Sequence, residues 1–157
     1  MTQGGAFRVL RVDLDQKKVE SEDFQETLMR KFIGGSGIAS KIVWEETSPT
    51  TDPFSAENRL VFATGPFTGT AVPANSRMTV ASLSPLSGIW GEAHVGGSWP
   101  DEFKRTGFDG LVIRGKAREP VYLWINDGEA RLMSARACCV PISGKSTAPF
   151  SRACVSP

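Results

Sequence analysis

The chain has 157 residues, which is enough for one domain with a substantial core and too few to suggest two. Its 18 basic and 17 acidic side chains nearly cancel, so no broad electrostatic surface points to nucleic acid or to an anionic membrane. No apolar run approaches the roughly 18 residues of a membrane span, and residues 1–10 lack a secretory signal pattern, so we expect a cytoplasmic protein.

The N-terminal part predicts a β-hairpin followed by a short helix. Residues 7–14 alternate apolar and polar side chains with a period near two, and residues 15–18 form a polar break. A second extended segment begins at Val19. Residues 27–33 are compatible with one short helix.

A second helix is predicted over residues 38–46, after the glycine-rich segment 34–37. Gly35-Ser36-Gly37 resembles part of a dinucleotide-binding fingerprint, but no clear strand precedes it and the third glycine is missing. We therefore interpret this segment as a helix C-cap and turn. Because the apolar residues of the second helix share one face, we expect it to pack on a sheet. That face comprises Ile38, Ala39, Ile42 and Val43.

The second half of the chain predicts several strands and one short helix. Apolar or alternating segments predict strands at residues 59–64, 77–83, 111–113, 121–125 and 129–133. The helix covers residues 99–106 and ends at Gly107, and Asn126-Asp127-Gly128 predicts a turn. About eight strands and three short helices, mostly in hairpin order, favour a single α+β domain with mostly antiparallel sheets.

Residues 63–97 are interrupted by glycine and proline, which excludes a long helix, and they end on Gly96-Gly97. Ser98 or Trp99 can cap the helix that follows, and its proline and two acids are typical of a helix N-terminus. A glycine backbone at a helix start exposes N–H groups that attract anions. The stretch therefore predicts a ligand site for phosphate or another anion, with a plain helix turn as the alternative.

The order of short motifs in this chain resembles the N-terminal domain of the tungsten-containing aldehyde:ferredoxin oxidoreductases. The motifs are GGSGIASKIVWEE, DPFSAENRLVFATGP, GPFTGT, PANSR, SPLSG, a small-residue run ending in Gly-Gly, and GFDGLVIRGKAREPVYLWI. The resemblance covers residues 7 to about 135. Each motif alone is weak, but their order and spacing together are specific.

The resemblance implies a fold that cradles a tungstopterin cofactor, a bis-molybdopterin with tungsten or molybdenum. Arg77 falls where the family has an arginine between the pterin and the iron–sulfur cluster, and a guanidinium suits such contacts because it presents five donors in a fixed fork. The alternative is a solvated strand arginine. The backbone of Ala93, His94, Val95, Gly96 and Gly97 is expected to bind the cofactor phosphates, and no residue is named as catalytic.

His94 stands where the best-known members have an asparagine whose oxygen helps to hold a magnesium ion. Magnesium prefers oxygen ligands, so the imidazole is a poorer ligand than an amide. His94 is therefore the candidate Mg²⁺ position through its backbone or a water. The alternative interpretation is a loop imidazole that is hydrogen-bonded to backbone.

The composition changes after about residue 135. Residues 136–157 contain no acidic side chain and no periodicity, and they predict a disordered tail. Its three cysteines, Cys138, Cys139 and Cys154, lack the spacing of a disulfide framework or a metal site. Since the family continues through further domains, we expect a truncated or frame-shifted gene product.

Two functions from different classes remain after the sequence analysis. By resemblance, the complete enzyme oxidises aldehydes to carboxylic acids, and its electrons leave through a [4Fe-4S] cluster to ferredoxin. The cluster belongs to later domains, so this fragment alone is expected to be inactive. The resemblance also allows a homodimer. The alternative function is a non-catalytic module that binds anions or nucleotides, or that mediates interactions.

Overall fold

A computed structural model describes residues 7–135 of the chain. This range contains eight strands and three helices. They are β1 (Phe7–Asp13), β2 (Lys18–Phe24), α1 (Glu26–Phe32), α2 (Gly35–Glu46), β3 (Leu60–Thr64), β4 (Met78–Leu83), β5 (Trp90–Val95), α3 (Trp99–Arg105), β6 (Gly110–Arg114), β7 (Val121–Asn126) and β8 (Glu129–Ser134). The predicted tail and the three cysteines lie outside the described residues.

Six strands form one sheet in the order β2-β1-β6-β3-β4-β5, and β7 and β8 form a separate hairpin. All neighbours are antiparallel except β1 and β6, which are parallel. The predicted α+β class with mostly antiparallel sheets is confirmed. The predicted turn at the β7–β8 connection is also confirmed, since Asp127 and Gly128 have φ values of 46° and 82°, as a tight hairpin requires.

Hydrophobic side chains cover both faces of the large sheet. On one face α2 packs against β3 and β4 through Ile38, Ala39, Ile42 and Val43, all of which are buried. This is the predicted apolar face of the helix. On the other face Met78 and Leu111 meet Phe103 and Phe108 beside the β7–β8 hairpin. The central strands β3 and β6 therefore lie between two apolar layers.

The glycine-rich segment starts a helix, so its interpretation as a C-cap and turn is wrong. Helix α2 begins at Gly35, three residues before the predicted start. A Cβ atom on Gly37 would stand 2.2 Å from the Phe32 carbonyl oxygen, and one on Gly34 would stand 2.8 Å from the Thr64 carbonyl oxygen. Glycine is required because the backbones of α1, α2 and the end of β3 are in direct contact here and leave no room for a side chain.

Strand β5 is an element for which the sequence analysis predicted no range. It pairs with β4 along its whole length, from Met78 with Val95 to Leu83 with Trp90. Glycine and alanine at positions 91 and 93 have low strand propensity, so pairing with β4 determines this conformation. His94 consequently lies on an edge strand, and its interpretation as a loop residue is wrong.

Candidate cofactor-binding site

A cleft of about 310 Å³ opens where β4 begins, β5 ends and α2 starts. Its walls include Gly35, Gly65, Arg77, Thr79 and His94. None of the described residues that line it is acidic, and Arg77 and His94 are the two ionisable side chains among them. Such a cleft favours an anionic ligand because the Arg77 guanidinium is cationic and the described lining includes no carboxylate.

Arg77 directly precedes β4, and its main chain is held firmly while its side chain is exposed. The buried Thr68 hydroxyl donates to the Arg77 carbonyl oxygen over 2.9 Å, and the Arg77 N–H donates to the Asn75 carbonyl oxygen over 2.7 Å. Its guanidinium lies over Gly96, because Nη1 is 3.3 Å from the place of a Cβ on that glycine. Within residues 7–135 no carboxylate forms an ion pair with this guanidinium.

The glycine pair joins β5 to α3 in an open conformation. Gly97 has a φ of 85° with no heavy atom within 4 Å of its Cβ position, and its carbonyl oxygen accepts a hydrogen bond from the Ser76 hydroxyl. Ser98 occupies the N-cap position as predicted, but its side chain makes no capping hydrogen bond. Asp101 and Glu102 lie in the first turn of α3 and offset its positive end. An anion would therefore meet the glycine N–H groups rather than the helix.

Helix α2 begins at the same cleft with a different electrostatic character. Its first turn contains no acidic residue, and Gly34 at the N-cap provides no side-chain hydrogen bond. Ser36 in this turn contacts Thr79 on β4, with 3.3 Å between the hydroxyl oxygens. Neither side chain was predicted as part of the site. The alternation of β4 puts Thr79 on the same face as Arg77, which is the one signal that could have indicated it.

His94 lies opposite Thr79 in the pairing of β5 with β4. Its Nδ1 is 3.3 Å from the Thr79 hydroxyl oxygen, and its Nε2 is 3.6 Å from a carboxylate oxygen of Glu92. Among the described residues, no group of three His, Cys, Asp or Glu side chains could hold a metal ion. The expected magnesium position at His94 stays a prediction.

Besides Gly97, the predicted site residues fall into two sets. Arg77, His94 and Gly96 come together at the cleft, on the face of the sheet that α2 covers. Ala93 and Val95 alternate with His94 along β5, so their side chains lie on the other face. Only their backbone groups at the sheet edge could contact a ligand there, which is the role the sequence analysis assigned them.

These residues fit an anionic group such as a phosphate ester. Arg77 offers a guanidinium that no carboxylate of the described residues neutralises, and the missing side chain of Gly96 leaves room for this guanidinium. Substituting Gly96 with any other residue would fill that space. The donor set is poorly suited to a bare cation, because the cleft presents no carboxylate of its own among the described residues.

Comparisons with known proteins identify the family of this chain. The chain matches the model of the aldehyde ferredoxin oxidoreductase N-terminal domain over residues 9–153. The tungsten-containing aldehyde ferredoxin oxidoreductase of Pyrococcus horikoshii is 40% identical over 128 residues, covering 82% of this chain and 21% of the relative. An aliphatic sulfonate oxidoreductase, WOR-like subunit, from Pyrococcus furiosus is 36% identical and covers 82% of this chain and 21% of that relative.

A solved structure has the same fold. The active site complex BamBC of benzoyl coenzyme A reductase, in complex with 1,5 dienoyl-CoA, superposes with a TM-score of 0.82 at 34% identity. The match covers 84% of this chain and 20% of that chain. The present chain thus spans about one fifth of the length of the relatives that it matches. It belongs to the aldehyde ferredoxin oxidoreductase family, of which it represents the N-terminal domain.

Proposed function

We propose that this chain is the cofactor-binding N-terminal part of a tungsten or molybdenum bis-pterin oxidoreductase that oxidises aldehydes to carboxylic acids. Family membership supports the reaction class, and the similar aldehyde ferredoxin oxidoreductase is tungsten-containing by name. The main support for cofactor binding is the position of the Arg77 guanidinium, which lies over Gly96 with no carboxylate partner in residues 7–135. When bound, the pterin and its metal would supply the redox chemistry.

The chain's own residues would bind and orient the cofactor. Arg77 would donate hydrogen bonds to anionic or pterin acceptors, because its fork of N–H groups suits bidentate contact. The N–H groups of Gly96 and Gly97 would donate to phosphate oxygens, since no Cβ separates them from a ligand. Magnesium would be held beside His94 by a backbone oxygen or a water, because that ion prefers hard oxygen donors.

Electron exit and substrate selection would reside in the rest of the enzyme. The described residues contain no group of side chains that could hold a metal ion or cluster. A [4Fe-4S] cluster, the aldehyde pocket and the contact with ferredoxin would therefore belong to the other domains, and we expect the 157-residue chain alone to be inactive. The names of the relatives differ in substrate, which is consistent with a shared cofactor base and variable substrate domains.

Metal analysis of the purified chain after anaerobic expression with tungstate or molybdate tests this proposal. We expect stoichiometric tungsten or molybdenum in the wild type, loss of metal in Arg77→Ala, and no viologen reduction with aldehydes. The exposed Arg118→Ala is the matched control. A metal-free chain that still binds pyrophosphate would contradict the redox function and favour the non-catalytic anion-binding module.

A further inference from the structure

Four side chains from three elements form a continuous polar chain beside the cleft. Ser36 on α2 contacts Thr79 on β4, and Thr79 contacts Nδ1 of His94 on β5, with 3.3 Å at each step. Nε2 of His94 faces Glu92 across 3.6 Å. Thr79 is buried, with 4% of its surface exposed, whereas His94 keeps about half of its side chain exposed. The buried end of the chain is therefore well placed to orient the exposed imidazole.

The direction of the hydrogen bonds follows from the carboxylate of Glu92 at one end of the chain and the hydroxyl groups of Thr79 and Ser36 at the other. The carboxylate of Glu92 lies 3.6 Å from Nε2 of His94, and its negative charge favours a proton on that nitrogen. A neutral imidazole carries one proton, so Nδ1 is then an acceptor. The Thr79 hydroxyl must donate its single proton to Nδ1, and Ser36 must in turn donate to Thr79.

We propose that Ser36 and Thr79 are positioning residues that hold neutral His94 as the Nε2–H tautomer, which makes His94 a hydrogen-bond donor to an anionic oxygen rather than a metal ligand. The Nδ1 lone pair is occupied by Thr79, so the neutral ring offers no free lone pair to a cation. Nε2–H remains available, because 3.6 Å to Glu92 is longer than a formed hydrogen bond. The anionic oxygen would belong to a cofactor phosphate, so this part rests on the proposed function.

The same proposal explains the Gly-Ser-Gly motif at the start of α2. A Cβ on Gly35 would stand 3.5 Å from the Thr79 hydroxyl oxygen, and Gly35 has a φ of 48°. Gly37 allows the Phe32 carbonyl to pack against the helix backbone. The two glycines thus bring the first turn of α2 close to β4, where Ser36 reaches Thr79. The motif serves to place a hydroxyl group rather than to bind a dinucleotide.

Because His94 is the single histidine in the sequence, NMR can assign its ring nitrogens without ambiguity. Long-range ¹H–¹⁵N spectra of the chain at pH about 8.5, where histidine is ordinarily neutral, report which nitrogen carries the proton. We expect the proton on Nε2 and a hydrogen-bonded Nδ1 signal. Thr79→Val should move Nδ1 towards its unbonded position, Thr79→Ser should restore it, and Ser36→Ala should produce a smaller shift in the same direction.

Replacing Glu92 with glutamine tests the direction of the hydrogen bonds. In Glu92→Gln the amide can donate to Nε2, so a population with the proton on Nδ1 should appear. A wild-type proton on Nδ1, or a Thr79→Val spectrum with Nδ1 unchanged in a protein that remains folded by circular dichroism, would overturn the proposal. A Glu92→Gln protein without the Nδ1–H population would overturn the role of Glu92.

Two probes test the donor role itself. Inorganic pyrophosphate should shift the Nε2–H signal of the wild type, whereas Mg²⁺ alone should not coordinate either ring nitrogen. The signal of a metal-bound ring nitrogen in Mg²⁺ alone, or no response to pyrophosphate, would contradict the donor role. The tautomer spectra do not require the pterin cofactor. A fixed Nε2–H tautomer in a chain that fails to acquire metal would therefore reject only the proposed function. A chain that acquires metal but lacks the fixed tautomer would reject only the positioning role.

Discussion

The guanidinium of Arg77 lies against the backbone of Gly96, with Nη1 only 3.3 Å from the position that a Cβ atom on this glycine would occupy. The two residues face each other where β4 begins and β5 ends. Glycine is therefore favoured there by a neighbouring side chain rather than by the backbone angle. A Cβ would press on the flexible end of an arginine, which can move by a few tenths of an ångström.

Gly96→Ala should displace the Arg77 guanidinium while leaving the domain folded. We expect the free energy of unfolding to change by no more than about 0.5 kcal/mol, as for most surface substitutions. Pyrophosphate binding should weaken by roughly tenfold, or about 1.4 kcal/mol. Calorimetric titration and thermal denaturation measure the two effects. Gly91→Ala, on β5, is the control, because its Cβ would press on Ser84 instead. Equal binding by both variants would disprove the importance of the contact.

Arg77→Ala should abolish cofactor retention without unfolding the domain, because this side chain is exposed and unpaired within residues 7–135. The loss of a charge-assisted contact should weaken anion binding by about 1.5 to 3 kcal/mol, which is roughly ten- to hundredfold. Metal content and the thermal midpoint are measured together, with Arg118→Ala as the control. Full metal content in Arg77→Ala would identify this residue as a solvated strand arginine.

Gly97→Val should weaken ligand binding, and the structure adds a cost in stability. Gly97 has a φ of 85° with open space around its Cβ position, so any side chain brings a left-handed strain of about 1 to 2 kcal/mol. Gly88 has a φ of 72° and equally open surroundings in the β4–β5 turn. Gly97→Ala and Gly88→Ala should therefore lose similar stability in urea denaturation. Only the Gly97 variant should lose pyrophosphate affinity, and equal affinities would show that the glycine serves the turn alone.

Gly37→Ala should destabilise the protein severely. The new Cβ would stand 2.2 Å from the Phe32 carbonyl oxygen, and backbone atoms of both helices would have to separate. We expect a loss of more than about 2 kcal/mol in urea denaturation, in the range of strongly disruptive substitutions. Ser40→Ala, at an exposed position of the same helix, should have little effect. Wild-type stability in Gly37→Ala would mean that α1 and α2 are not held at this distance.

Acid should destabilise the fold partly through Asp13. The Gln16 N–H and the Arg114 guanidinium both donate to its carboxylate, and together they hold the pKa of Asp13 below its usual value, despite an opposing effect of burial. A lowered folded pKa stabilises the protein above the unfolded value, about 3.9, and this contribution is lost as the pH falls through the folded pKa.

Asp13→Asn should accordingly lower stability at pH 7 and flatten its decline below about pH 4. Urea midpoints measured at several pH values provide the comparison. Asp127→Asn, in the β7–β8 turn, should leave the slope unchanged. A wild-type acid profile in Asp13→Asn would assign the acid sensitivity to other carboxylates.

The local sequence pattern determined much of this protein. Alternation predicted the first hairpin and β4, and the apolar spacing of residues 38–46 predicted the buried face of α2. Gly107 ends α3 as predicted, with a φ of 92°. These features depend on side-chain periodicity and on backbone angles, which neighbouring residues specify. Gly96 could be named for the site from the local glycine pair, whereas Arg77 was named because of the family resemblance.

Only the tertiary structure decided which segments meet. The parallel pairing of β1 with β6 joins segments about one hundred residues apart, and no local pattern encodes it. Strand β5 is weakly encoded and forms because the edge of β4 can pair with it. For this reason the contacts from Ser36 to Thr79 and from Thr79 to His94 could not be predicted. Each residue was visible in the sequence, but their distances depend on how α2 packs across the sheet.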